Sequence, residues 1–216
     1  MDNACIMSKV DHTLLKPVAK WGEIADVCAD ALKFGAATVC IPPSFVGRVK
    51  REFPGLTVCT VIGFPLGYNT AEVKRYELER ADFDGADEFD MVINLGDLSK
   101  ACDEISLLKK AAGGKVLKVI VETCYLTREE KIAMCAAVTQ AGADYIKTST
   151  GFGTGGATME DILLFKEFVG EGVKIKASGG IRTRDDMVAF INAGCERLGT
   201  SSAVKILFEG NDGKGY

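Results

Sequence analysis

Two hydrophobic rhythms alternate along this chain of 216 residues. Short runs rich in apolar and β-branched residues, LTVCTVI at 56–62, VLKVIV at 116–121 and VKIKA at 173–177, have the length of strands. Longer segments at 21–33, 71–83, 128–140, 159–168 and 184–193 carry apolar residues at i, i+3, i+4 spacing and predict amphipathic helices. Four further strands share one grammar, in which a helical stretch ends in glycine plus a small residue and a strand begins at once. They are FGAATVCIPP from Phe34, DGADEFDMVIN from Asp84, AGADYIKTST from Ala141 and AGCERLGTSS from Ala193. Their glycines, Gly35, Gly85, Gly142 and Gly194, stand 50, 57 and 52 residues apart, which is the length of two strand–helix units each time. A short first strand at 9–11 brings the count to eight. Strands and helices that alternate without a linker predict parallel strands enclosed by helices. The expected fold is α/β, a (β/α)8 TIM barrel forming a single domain over residues 1–216, with an open doubly wound sheet as the alternative. The polar end GNDGKGY, residues 210–216, reads as a mobile tail.

Charged residues stand where such strands have no room for them. A barrel strand is enclosed on both faces, so a charge within it either reaches an end or serves a site at the C-terminal mouth. Asp90 in EFDMVIN, Lys118 in VLKVIV, Lys147 in DYIKTST and Lys176 in KIKAS each interrupt an apolar run. Alternation puts Asp90 on the face of Val92 and Asn94, opposite a helix-facing row of Phe89, Met91 and Ile93, so the acid points into the barrel. Lys118 shares its face with Ile120 and Glu122, and Lys176 lies opposite Ile175 and Ala177. Taken singly, each lysine reads as a strand-end residue reaching solvent. On strands four to seven together they read as one site.

Lysines beside an aspartate suit carbonyl chemistry. An amine attacks a carbonyl only as the neutral base, and moving a lysine from ~10.4 to ~7 takes about 4.6 kcal/mol of selective destabilisation of the ammonium form. Two like charges ~4 Å apart at an effective dielectric near ~20 repel by about 4 kcal/mol, so Lys176 is expected to lower the pKa of Lys147. Asp90 then suits proton transfer as a carbinolamine loses water. The iminium that results is an electron sink, which lets a carbon–carbon bond break or form without a metal or other cofactor. No metal site is expected, because His12 is the one histidine and neither HxH nor HExxH spacing occurs. His12 is assigned a structural role, and Asp11 an orienting one toward loop or lysine groups. Of the eight cysteines, Cys40 and Cys59 fall in strand-like runs and Cys28, Cys102 and Cys135 in helical ones, with no CxxC pair. Buried reduced thiols are expected, with Cys40 as a supporting site residue.

A phosphate cradle is the second constellation. Barrels place one in the loops after strands seven and eight, and here those loops read Ser178-Gly179-Gly180-Ile181-Arg182 and Gly199-Thr200-Ser201-Ser202. Glycines at 179 and 180 let backbone N–H groups approach an anion, Ser201 and Ser202 add hydroxyls, and Arg182 adds charge. After strand six, residues 149–156 (STGFGTGG) form a glycine-rich loop beside Lys147, in which Thr148 and Gly151 are expected to touch substrate. Tyr216 is a candidate for folding back to deliver a proton. The loops alone fit equally a sugar-phosphate isomerase or epimerase, which needs no activated lysine pair, or a non-catalytic phosphosugar-binding barrel, which needs no Asp90.

Composition narrows the partners rather than the chemistry. With 47% hydrophobic residues, 26% charged and 24 glycines, the chain has the make-up of a soluble globular protein with many short turns. A net charge of −4 gives no general field for nucleic acid or anionic lipid, so a phosphate must be held locally. The first residues, MDNACIMSKVDH, lack the basic stretch and apolar run of a secretory signal, and no window reaches the ~18 apolar residues of a membrane span. A cytoplasmic protein with small-molecule partners is expected, and neither a nucleic-acid nor a membrane partner.

The strings DHTLLKP, TVIGFPLG, EFDMVINLG, KVIVET, DYIKTSTGFGTGGAT, KASGGIRT and GTSS, in this order over nearly the full chain, resemble the deoxyribose-phosphate aldolase family. The resemblance implies a class I aldolase that reversibly cleaves 2-deoxy-D-ribose 5-phosphate to D-glyceraldehyde 3-phosphate and acetaldehyde. It implies Lys147 as the Schiff-base former, Lys176 as the partner that lowers its pKa, Asp90 as the proton-transfer acid/base and Lys118 as a support of the relay. Phosphate binding falls to Gly179, Gly180, Ser201 and Ser202, with Gly151 and Gly199 beside them. Some members carry a lysine where this chain has Phe152, which removes one charge from that site. A homodimer or homotetramer is implied as well.

Overall fold

The computed structural model describes residues 1–210. The expected tail therefore lies, apart from Gly210, outside the described residues, and so does Tyr216. Eight strands, β1 (Val10–Thr13), β2 (Thr38–Ile41), β3 (Val58–Ile62), β4 (Glu88–Val92), β5 (Val116–Ile120), β6 (Tyr145–Lys147), β7 (Lys174–Ser178) and β8 (Arg197–Thr200), pair in chain order. Every pairing is parallel and β8 closes on β1, which makes the closed (β/α)8 barrel and excludes the open sheet. Around it run α1 (Asn3–Met7), α2 (Trp21–Phe34), α3 (Val46–Glu52), α4 (Ala71–Phe83), α5 (Ala101–Ala111), α6 (Arg128–Gln140), α7 (Met159–Phe168), α8 (Arg184–Ala193) and α9 (Ala203–Phe208). The five helices read from periodicity are present, and α3 and α5 fill the two intervals left without one. The first strand differs from expectation. It runs on to Thr13, so His12 lies within it, buried, instead of following it.

The helices start and stop on local chemistry. Thr127 and Glu130 form a reciprocal capping box at α6, and Thr183 with Asp186 does the same at α8. The four repeat glycines, Gly35, Gly85, Gly142 and Gly194, all take positive φ, a conformation that terminates a helix cheaply only without a Cβ.

The repeat also extends to side chains. The Asp87 carboxylate accepts from the Val58 backbone N–H and from Lys50 Nζ, whose ammonium also donates to the Leu56 carbonyl. One repeat later, Asp144 accepts from the Leu117 N–H and from Lys109 Nζ, which also donates to the Lys115 carbonyl. Each clamp pins a helix end to the N-terminal edge of a strand pair.

The main core lies between barrel and helices. Phe89, Met91 and Ile93 of the β4 segment, Leu117 and Val119 of β5, Ile146 of β6 and Ile175 and Ala177 of β7 all pack into it. The alternate row of each strand is thereby left to face the barrel axis. Inside the barrel a smaller apolar group, Leu15, Cys40, Cys59 and Val61 with Phe64 against it, occupies the side of strands β1–β3. The opposite side is charged. No helix among the described residues is long and apolar enough to cross a membrane.

Candidate active site

Strand register builds the charged half. Asp90 is the direct neighbour of Lys118 across β4–β5, and Lys147 of Lys176 across β6–β7, so each pair projects on the same side of the sheet. Four side chains from four strands then meet at one carboxylate. Asp90 Oδ1 accepts from Lys118 Nζ at 2.8 Å, while Oδ2 accepts from both Lys147 Nζ at 2.7 Å and Lys176 Nζ at 2.6 Å. Behind this, Lys176 also donates to Asp11, whose other oxygen accepts from the Thr38 hydroxyl at 2.8 Å and from Arg197 at 2.5 Å. Glu88 closes the network, 2.7 Å from Lys118 Nζ and 3.0 Å from Arg197. Gly199 is part of the same packing, because a Cβ there would stand 3.1 Å from Lys176 Cε and 2.9 Å from Ser178 Cβ. The long lysine stem takes the space that a side chain at 199 would fill.

Electrostatics follows from that geometry. Burial by itself would push the Asp90 carboxyl up, yet the ammonium groups of Lys118, Lys147 and Lys176 hold it well below the usual range. Burial likewise disfavours charge on Lys118 and Lys176, but Asp90 and Asp11 outweigh it and raise both above the ordinary lysine value. The direct ion pairs join four basic side chains (Lys118, Lys147, Lys176, Arg197) to three carboxylates (Asp11, Glu88, Asp90), and the Glu122 carboxyl acts on Lys147 from further away. Lys118 and Lys176 each contact at least two carboxylates, whereas Lys147 is paired with Asp90 alone and is the least enclosed of the three.

Two groups of ligand-type atoms, Cys40, Cys59 and Asp90, and Asp11, Cys59 and Glu88, lie within 4.8 Å of one another. Their carboxylates already carry lysine and arginine partners, whose positive charge opposes a further cation. Cys59 Sγ lies 3.3 Å from both Asp90 Oδ1 and Lys118 Nζ. Cys40 stands next to it, buried, and the Cys59 thiol holds Cys40 below the usual thiol range while burial pushes Cys59 up.

Above the charged network, at the C-terminal ends of the strands, opens a cavity of about 730 Å³. Its wall combines Thr150 to Gly156 after β6, Gly179 to Thr183 after β7 and Gly199 to Ser202 at the end of β8. All the expected phosphate-site residues, Gly151, Gly179, Gly180, Gly199, Ser201 and Ser202, face it together with Arg182, which is exposed. The loop and the cradle are stitched together, as the Ala157 N–H donates to the carbonyls of Ser178 and Gly179, and Gly156 packs so closely on Gly179 that a Cβ would lie 2.4 Å from its backbone. Phe152 meets Phe64 edge to face at 5.3 Å, which joins the loop to the apolar half of the barrel.

Two of the residues expected to meet substrate lie outside the cavity wall. Lys147 is 3% exposed and does not itself line the cavity, which begins three residues further along at Thr150. Thr148 is wholly buried, and its hydroxyl is spent on Ser178, donating to the carbonyl and accepting from the N–H, both at 3.1 Å, so it joins β6 to β7 and does not reach the cavity. Conversely, Glu88, Arg197 and Thr38 join the charged network, and Glu122 accepts from Thr150 at the cavity wall, though none was among the expected residues. Glu88 was accessible to the alternation argument, since it shares parity with Asp90, and Arg197 shares it with Gly199. Thr38 carries no sequence signal.

Over residues 5–200 the chain matches the family model described as DeoC/LacD family aldolase. The chain belongs to that family. As a DeoC/LacD aldolase it is a carbon–carbon lyase, and similar proteins match it over most or all of their length. It is 55% identical to the deoxyribose-phosphate aldolase of Clostridium botulinum (strain Alaska E43), covering 100% of both chains, and 55% identical to that of Clostridioides difficile (strain 630), covering 94% of this chain and 95% of the relative. Among solved structures, the tetrameric deoxyribose phosphate aldolase of Aeropyrum pernix superposes with a TM-score of 0.91 at 33% identity, covering 95% of this chain and 91% of that one.

Proposed function

We propose that this DeoC/LacD aldolase is a class I enzyme that reversibly cleaves 2-deoxy-D-ribose 5-phosphate to D-glyceraldehyde 3-phosphate and acetaldehyde through an imine on Lys147. The observation that carries the reading is the sharing of one buried carboxylate oxygen by two lysines, next to a cavity whose far wall is built of glycines and serines. Lys147, with one direct carboxylate partner and the greatest exposure of the three lysines, is the amine assigned to the attack, and Lys176, fixed between Asp11 and Asp90, is the neighbouring cation.

The steps balance over one turnover with Asp90 as proton carrier and water as the reservoir. Nζ of Lys147 attacks the C1 aldehyde of the open-chain sugar, Asp90, within hydrogen-bond reach, moves one amine proton to the carbinolamine oxygen, and a second proton, drawn from water through Asp90, lets that oxygen leave as water. The iminium accepts the electron pair of the C2–C3 bond as the C3 hydroxyl gives its proton to Asp90 through a water, which frees glyceraldehyde 3-phosphate. Asp90 passes that proton to C2 of the enamine left on Lys147, and water hydrolyses the resulting iminium to acetaldehyde and the free amine, returning the proton borrowed at the first dehydration. Lys118, held by Asp90 and Glu88, keeps the acid ionised for the relay. The wall of glycines and serines lies beyond the strand ends that carry Lys147 and Lys176, and a five-carbon phosphate would set its aldehyde at the amine and its phosphate among Gly179, Gly180, Ser201 and Ser202. The tetramer of the Aeropyrum pernix relative supports a homo-oligomer here too.

Incubation with acetaldehyde and borohydride tests the assignment. Irreversible inactivation with one added ethyl group on the peptide containing Lys147 is expected. A label on another lysine, or none, rejects it. An isomerase, an epimerase or a binding protein with this cradle has no reason to be labelled.

A further inference from the structure

Among the described residues, Glu122 is the sole non-glycine with a left-handed backbone, φ 49 and ψ 66. It is also a buried carboxyl, 2% exposed, and burial pushes its pKa up despite the donors around it. The residue thus costs stability twice, in conformation and in desolvation, and such costs persist where the surrounding structure uses them. What Glu122 holds is the loop at the cavity. Both carboxylate oxygens accept from the Thr150 N–H at 3.2 Å, and the Thr150 hydroxyl donates to Oε2. That hydroxyl in turn accepts from the Phe152 N–H at 3.0 Å. Gly153 rests against the carboxyl, since a Cβ there would lie 3.1 Å from its Cδ. The neighbours of Glu122 are sewn to the strand that bears Lys147, with Val121 N–H donating to the Lys147 carbonyl and Thr123 N–H to that of Thr148.

We propose that Glu122 is a positioning residue for the phosphorylated end of the substrate. It fixes the 150–153 loop in the shape that completes the cavity opposite Gly179 and Gly180, and it ties that loop to β6 so that the amine and the phosphate-binding groups keep a set separation. The carboxyl does not line the cavity, so it does not confront the phosphate dianion; it acts through Thr150. This rests on the functional reading above.

The test compares Glu122→Gln and Thr150→Val with the parent. Glutamine keeps the shape but brings an amide NH₂ against the Thr150 donors, and valine removes the hydroxyl from the other side. Both variants are expected to lower the kcat/KM preference for 2-deoxyribose 5-phosphate over 2-deoxyribose about tenfold or more, the loss of a hydrogen bond to a charged acceptor, mainly through KM. Imine trapping at Lys147 by acetaldehyde should persist, and the melting temperature of Glu122→Gln should not fall. Inorganic phosphate, titrated by calorimetry, should bind the parent more tightly than either variant, a comparison that needs no turnover. An unchanged phosphate preference, equal phosphate affinity in parent and variants, or a uniform loss on both sugars with a lowered melting temperature overturns the proposal. Absence of trapping in the parent overturns the imine mechanism instead, and the phosphate titration then still decides the role of Glu122.

Discussion

Replacing Asp90 by asparagine removes one charge and almost no volume, and the network around it sets the size of the effect. Three lysine nitrogens lie within 2.8 Å of the Asp90 oxygens. Without that carboxylate, Lys118, Lys147, Lys176 and Arg197 face only Asp11 and Glu88, all away from water. Breaking a buried ion pair from one side costs about 3–5 kcal/mol. For a chain of this size each kcal/mol moves the melting temperature by roughly 2–4 °C, so a fall of roughly 6–20 °C is expected. The pH dependence has a definite sign. The Asp90 carboxyl is held below its ordinary value, so its contribution is present above about pH 4 and declines as pH falls below that. Lys118 and Lys176 are held above theirs, so the stability they lend is present below about pH 10 and is lost as pH rises through their folded values. The gap between parent and variant should therefore be widest from about pH 4 to pH 10. Melting curves followed by circular dichroism across that range, with turnover measured alongside, are the assay; turnover should drop about 10²–10⁴-fold. Adding Lys118→Met should restore part of the stability but not the turnover. A melting temperature within 2 °C of the parent at about pH 7 would mean that Asp90 does not balance these lysines, and the charge argument for Lys147 would go with it.

Gly199→Ala should cost about 1–3 kcal/mol and displace the Lys176 stem, since its Cβ would meet Ser178 and Lys176 at 2.9 and 3.1 Å; denaturant midpoints and kcat measure the two effects, and a fully active, equally stable variant refutes the space-filling account. His12 is buried with Nδ1 unpartnered, and burial holds its pKa below 6.5. The unfolded chain therefore takes up a proton that the fold refuses, and stability should fall below about pH 6.5 by up to about 1.4 kcal/mol per unit. Urea midpoints of a His12→Leu variant should lack that slope, and an identical slope in both proteins excludes His12 as its source.

The barrel was legible because its signals are local and repeated. Glycine stops followed by strand starts at Gly35, Gly85, Gly142 and Gly194, and capping chemistry such as Thr127 with Glu130, act within a few residues and need no tertiary information. The inward row of charges was legible for the same reason, since alternation alone separates Asp90 from Phe89 and Met91. What alternation does not give is partnership. That Arg197 reaches Glu88 and Asp11 depends on closure of β8 against β1, and the burial of Thr148 depends on β7 lying alongside. Glu122 was visible as a residue on the face of Lys118, but its left-handed backbone and its hold on Thr150 arise only once the β5 and β6 ends are side by side. β1 reaches two residues past the expected end, because His12, polar in sequence, is buried in the strand by packing that a linear reading does not show.

The paired aspartate–lysine clamps of Asp87 with Lys50 and Asp144 with Lys109 sit at the edge of the barrel remote from the cavity. On the functional reading proposed above, these fasteners and the loops that meet the sugar occupy opposite rims. An engineer can then redraw the loops around Phe152 while leaving the fasteners alone, and can alter the fasteners without retuning the chemistry.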